Sequence, residues 1–205
     1  MKELRRQLAH MTGFLLVPGA LIFGTLFAGI VSFIAGAIIF AYSLHVKRRQ
    51  ESGLLWKMEK AVTRLFFFFE RERPSWPFMG AFSLFFSSAI AFFLLPQNQA
   101  LAAVSVVTLG DGLSTLVGYY FGKRKLVGNK TLEGTLAFFI ASLSSLAFVP
   151  LPHALLASLF ATLAELSTAA AFVRKSRFVK YIDDNWLVTV VCAVALQAAS
   201  MLFAA

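Results

Sequence analysis

The sequence predicts an all-α fold: a polytopic integral membrane bundle of about seven transmembrane helices with a cytoplasmic amino terminus. Three observations carry this. The 205 residues are 59% hydrophobic and only 14% charged, whereas about a quarter of a soluble domain is charged. The apolar residues, which give a mean hydropathy of +0.75, gather in runs of membrane-crossing length. The cations fall only in alternate connections between those runs and so on one side of the membrane, as the positive-inside rule requires.

The runs lie at roughly 11–27, 29–46, 78–95, 98–122, 132–149, 153–173 and 186–204. The first two share a tight turn near Ala28-Gly29. With the amino terminus inside, segments 1–10, 47–77, 123–131 and 174–185 hold 3, 8, 4 and 4 Lys plus Arg, which is all 19 of them. The outer turns hold none. The basic opening (Lys2, Arg5, Arg6) leads into a run too long for a cleaved signal peptide, with no small-residue cleavage site. The single cysteine, Cys192, excludes a disulfide within the chain and a zinc site, and reads as a small buried hydrophobe. The net charge of +9 is thus concentrated on one face. Such a face attracts anionic headgroups or neutralises a polyphosphate. Nucleic acid is not an expected partner, because the basic loops are short and abut the membrane. One membrane-embedded domain, 1–205, is expected, with its functional core at about 98–190. With no organelle signal, a prokaryotic plasma membrane is the simplest location, the site facing the cytoplasm.

The elements follow in chain order. Ahead of the first run, Glu3, Arg6 and His10 share one helical face at spacings of three and four; a lone histidine there is more often interfacial. Segment 47–77 contains FFFFERERPSWP, whose Phe66 to Phe69 and Trp76 suit an interfacial amphipathic piece, with Glu70 to Arg73 solvated or self-paired. The fourth run places Ser105, Thr108, Asp111 and Thr115 on one face as an oxygen stripe. Gly110, Ser114, Gly118 and Gly122 form a small-residue ridge for close helix packing, and Gly110 and Gly112 also suit a kink or local unwinding beside the acid. A carboxylate at membrane depth costs about 2.5–3.5 kcal/mol, so Asp111 is expected to handle a charged ligand or a metal.

In the loop that follows, Lys123, Arg124 and Lys125 precede a turn at Gly128-Asn129. Thr131 caps the next helix, and Glu133 sits in its first turn. Lys130, just ahead of that helix, could converge with backbone N–H groups on phosphate oxygens. The sixth run carries Ser158, Thr162, Glu165 and Thr168. Glu165 either hydrogen-bonds a neighbouring helix or faces a cavity, and the second reading is preferred. Asp183-Asp184-Asn185 opens the last run with three oxygen-bearing side chains where one would serve as a cap, which favours a metal or nucleotide role. There is no P-loop, no nucleophile elbow and no H-E-x-x-H zinc helix.

The joint pattern Gly110-Asp111, Ser114, Gly118, Gly122, then Lys130-Thr131-Leu132-Glu133-Gly134, and later Glu165 and Asp183-Asp184-Asn185, resembles the polyprenol kinase family. That family includes dolichol kinase, phytol kinase and the CTP-dependent diacylglycerol kinase of yeast. The opening from Glu3 through His10 to Gly13 and the stretch Glu70-Arg71-Glu72 are similar to it as well. Gly112 stands where the family more often has alanine, Thr131 replaces a common serine, and Trp186-Leu187-Val188 follows the family loosely. Cytidylyltransferases that make CDP-diacylglycerol have a similar carboxy-terminal half, but Lys130-Thr131 stands in place of their lysine-aspartate pair.

The resemblance implies transfer of the γ-phosphoryl group of CTP, with Mg²⁺ or another divalent cation, to a membrane lipid alcohol such as dolichol, phytol, geranylgeraniol or diacylglycerol. It implies catalytic roles for Asp111, Lys130 and Glu133, nucleotide binding by Lys130, Thr131, Gly134, Asn185 and His10, and metal binding by Asp111, Asp183 and Asp184. CTP rather than ATP comes from the resemblance alone. Two other readings are a cytidylyltransferase acting on a lipid phosphate and a small transporter using Asp111 and Glu165 as relay acids.

Overall fold

Proline and glycine punctuate an otherwise apolar chain, and the helices break at them. The computed structural model describes residues 2–48, 77–169 and 183–203. Helix α1 (Lys2–Met11) passes through a 3₁₀ turn (Thr12–Leu15) into α2 (Leu16–Phe23). Gly24 takes φ 88°, a value open to glycine and costly for other residues, and α3 (Thr25–Arg48) starts after it. The turn between the first two runs therefore falls at Gly24, not at Ala28-Gly29, which lie inside α3. Gly29 serves close packing instead: a Cβ there would lie 2.6 Å from the Phe93 ring. With 8 residues, α2 rises only about 12 Å, against a hydrocarbon core of about 30 Å.

Helix α4 (Met79–Leu94) ends just before Pro96, which caps α5 (Gln97–Ser105). A π-helical segment, Val106–Gly110, joins α5 to α6 (Asp111–Phe121), so that Gln97–Phe121 forms one rod. Strands β1 (Lys125–Val127) and β2 (Lys130–Thr131) pair antiparallel about Gly128, which has φ 57°. Among the described residues this hairpin is the small exception to an all-helical architecture, and its turn is where the Gly-Asn dipeptide predicts it. Helix α7 (Leu132–Ser142) tightens into a 3₁₀ turn (Leu143–Ala147). Helices α8 (Leu151–Ala169) and α9 (Asp184–Leu202) complete the described chain. Phe66 to Phe69, Glu70 to Arg73, Trp76, the cations from 174 to 180, Tyr181, Ile182 and the end of the run placed at 153–173 lie outside the described residues.

Among the described residues, three helices are long and apolar enough to cross a membrane: Thr25–Lys47, Gln97–Phe121 and Asp184–Leu202. Their burial sets the layout. In the rod 67% of the apolar window is buried, against 39% in α9 and 22% in α3, so the rod is the central post. Leu101, Val104, Val106 and Val107 are its core residues. Around it α3 packs on α4, α8 on α9 and α7 on α6, while α1 lies against α6. Helix α3 turns Leu26, Ile30, Ile34 and Ile38 outward, a row of exposed apolar side chains of the kind that marks an interaction surface.

Candidate functional site

Within the rod, Ser105 donates to Leu101 O at 2.8 Å and Thr108 to Val104 O at 2.6 Å. Both hydroxyls are spent on their own helix. Thr108 and Asp111 keep a common face toward the amino-terminal helix and its 3₁₀ turn: a Cβ on Gly13 would lie 3.1 Å from Thr108 Cγ2, and His10 lies beside Asp111, with the π-helical segment Val106–Gly110 between the two. Segments of this kind are frequent at functional sites, and this one ends directly before Asp111.

Asp111 is 9% exposed. His10 Nε2 lies 3.6 Å from Asp111 Oδ2 and 3.4 Å from Val107 O. Both neighbours are acceptors, so the hydrogen is assigned to Nε2. Gly112 lets α1 press this close: a Cβ there would lie 2.4 Å from Met11 Cγ.

One turn further on, the small-residue ridge does two things at once. A Cβ on Gly134 would sit 2.8 Å from Ser114 O and 3.1 Å from Gly118 Cα, so α6 and α7 meet backbone to backbone. Beside this crossing opens a cavity of about 430 Å³, lined by Glu3, Ser114, Lys125, Lys130, Thr131 and Glu165 among others. Ser114 donates to Glu165 Oε1 at 2.8 Å, and Lys130 Nζ bonds the same oxygen. Glu165 is 1% exposed, and its Oε2 has no hydrogen-bond partner among the described residues. Thr135 Oγ1, on the same cavity, is likewise buried and unpartnered. A buried acceptor without a donor is costly, so this wall is chemically unfinished.

Burial alone would push the Lys130 ammonium down, but Glu165, Asp111 and Asp184 outweigh it and hold its pKa above the ordinary value. Three acids from α6, α8 and α9 therefore act on one cation. Arg6 of α1 feels Asp111 and Asp184 as well and is hydrogen-bonded to Glu3. At the start of α9, Asp183 Oδ1 and Asp184 Oδ1 each accept from Asn185 N at 3.2 Å. Burial first, then the Asp184 carboxyl beside it, pushes Asp183 well above the usual carboxylate range.

Of the predicted site residues, Lys130, Thr131 and Gly134 line the cavity. Asp111 and Asp184 bear on it through charge. Thr131 is the predicted cap, its Oγ1 accepting from Gly134 N at 3.2 Å. Glu133, predicted catalytic, is not among the lining residues: its carboxylate accepts from Lys123 N at 3.1 Å and Arg124 N at 3.3 Å. The hairpin takes Glu133 as its anchor. Asn185, predicted for nucleotide, is buried, and its Nδ2 donates to Gly80 O at 3.1 Å, tying α9 to α4. His10 lines a second cavity rather than this one. Among the described residues no three of His, Cys, Asp and Glu gather closely enough to hold a metal, so Asp111, Asp183 and Asp184 do not form a ready three-ligand cage.

Sequence reasoning gave Glu3 no role and assigned Ser114 to packing. The helical spacing of Glu3 with Arg6 and His10 was the available signal for the first; nothing local marks the second. Compared with known protein families, with curated proteins and with solved structures, this chain matches none.

Proposed function

We propose that this chain is an integral membrane kinase of the polyprenol kinase type. It transfers the γ-phosphoryl group of CTP to a lipid alcohol, through a seven-span fold with a cytoplasmic amino terminus. The observation that carries the reading is the convergence on one polar cavity of Lys130, its partner Glu165, Ser114 bonded to that same carboxylate, and the charges of Asp111 and Asp184. Phosphoryl transfer asks a protein mainly for positioning and charge neutralisation, and this is what such an arrangement offers.

In the reaction the alcohol oxygen forms a bond to the terminal phosphorus. The bond from that phosphorus to the bridging oxygen breaks, and the nucleoside diphosphate leaves with the electron pair. The hydroxyl proton passes to a carboxylate, the role assigned to Asp111. Lys130, pre-aimed by Glu165, takes a phosphate oxygen, and Lys125 adds positive charge at the same cavity. Mg²⁺ suits the donor set, since Asp183 and Asp184 are adjacent hard-oxygen ligands and Mg²⁺ is usually held by one or two carboxylates with phosphate and water. Asp183 and Asp184 would hold it together with phosphate and water, and when bound it would neutralise triphosphate charge.

The test is direct. Purified protein, labelled CTP, Mg²⁺ and a panel of lipid alcohols should yield a phosphorylated lipid and CDP. Release of pyrophosphate would instead mark a cytidylyltransferase, and no turnover with any alcohol would end the kinase reading. Asp111→Asn and Lys130→Ala should each lower turnover by about a hundredfold or more, as expected on removing a charge-stabilising group.

A further inference from the structure

Between α1, α3 and α4 lies a second cavity, of about 280 Å³. Its α3 and α4 walls are apolar, with Ile39, Phe78, Leu84 and Phe85, while α1 contributes Arg6 and His10. Phe78 is strained. It sits at φ 61°, ψ 17°, a left-handed conformation that a bulky side chain avoids. Its surroundings enforce it: Phe78 is 5% exposed and stacks on Tyr42 at 5.7 Å, and Ser43 Oγ holds the preceding Pro77 carbonyl at 2.6 Å. Strain of this kind persists where a site requires it.

Helix α1 is the partition between the two cavities. Glu3 faces the polar one and Arg6 the apolar one, and the two side chains are bonded to each other. His10 faces the apolar cavity while its Nε2 lies beside Asp111. An amphiphile whose chain lies against Ile39, Leu84 and Phe85 has its polar end at Arg6 and His10, next to the groups assigned to phosphoryl transfer. The outward face of α3 is apolar, the kind of surface that a molecule dissolved in a bilayer meets. At 280 Å³ the cavity is at or below the small end of ligand sites, about 300–1,000 Å³, and has room for one chain rather than two side by side.

We propose that the α1–α3–α4 cavity seats the hydroxyl-proximal segment of a single-chain lipid alcohol, with Arg6 and His10 at the hydroxyl, and that diacylglycerol is not the acceptor. The inference rests on the kinase reading.

The experiment plugs the cavity at Ala81, which lines it and is exposed, so that a larger side chain there leaves the core in place. Ala81→Trp and the milder Ala81→Leu are compared with the unsubstituted protein for kinetics and for binding of a photoreactive long-chain alcohol without nucleotide. The expected result is photolabelling of α4 in the unsubstituted protein, at least a fivefold loss of it in both variants, and at least a tenfold higher KM for the alcohol with the KM for CTP within twofold. Diacylglycerol should be phosphorylated at under a hundredth of the rate. Unchanged labelling and KM in a folded variant would overturn the seat, and diacylglycerol as the better acceptor would overturn the single-chain assignment. Labelling that Ala81→Trp abolishes, in a protein that phosphorylates no alcohol, would sink the kinase reading while leaving the cavity as an alcohol site.

Discussion

Lys130 and Glu165 close an ion pair whose acid is 1% exposed, the contact that holds the α8 wall of the polar cavity to the hairpin. Lys130, Thr131 and Gly134 were legible because they form one local run, in which a turn, a cap and a helix start fix each other. Glu165 was legible only as an acid inside an apolar run; its partner is 35 residues away, and no spacing rule connects them. Removing that partner has a calculable effect. Breaking a buried ion pair from one side costs about 3–5 kcal/mol, less here because the Lys130 side chain keeps 23% exposure. We expect Glu165→Gln to lose about 2 kcal/mol in denaturant titrations in detergent, and Ser114→Ala less. The pair also fixes a pH dependence. A lysine whose folded pKa is raised contributes stability that is fully present below its unfolded value, about 10.4, and lost as pH rises through the folded value. Between pH 7 and 9 Lys130→Met should therefore change the melting temperature by a constant amount. A difference that shrinks across that interval would show the ammonium discharging early and contradict the arrangement.

At the scale of elements, the breaks between the runs ending at 95 and 149 and those starting at 98 and 153 were readable from the chain, as was the turn at Gly128-Asn129. The turn at Gly24 was misplaced by a few residues because several glycines compete there and only φ distinguishes them. The π-helical segment was not readable: the sequence offered a kink at Gly110 and Gly112, but the form of the irregularity depends on α1 and α7 packing against the rod. The α6–α7 crossing is the element on which the polar cavity depends. Gly134→Val would drive side-chain atoms into Ser114 O and Gly118, an overpacking penalty of about 1–3 kcal/mol, and should lower the melting temperature and nucleotide affinity together. At Gly118 a Cβ meets nothing closer than 3.2 Å, so Gly118→Ala should be milder in both measurements. The reverse order would mean that the helices do not cross at these glycines.

For the whole molecule, the composition disclosed the helical class, while the arrangement around a central rod depends on which apolar faces meet, which hydropathy does not encode. Asn98 lies in the exposed first turn of the rod Gln97–Phe121, and Asn129 lies beyond its other end. With Cys192 replaced by serine, single cysteines at Asn98→Cys and Asn129→Cys should react with an impermeant maleimide from opposite sides of a sealed vesicle, Asn129→Cys from the cytoplasmic one. Labelling of both from one side would refute the proposed topology. The π-helical segment has one more consequence. Each residue turns a regular helix by about 100°, so the side chain offered to His10 is set by how many amino acids stand between Ser105 and Asp111 and by the turn that holds them. A π-helical turn holds one residue more than the α-helical turn it replaces, so deleting Leu109 should let the rod close into regular α-helix with Asp111 still beside His10, whereas deleting Ala103 from the α-helical stretch before it should swing the carboxylate away.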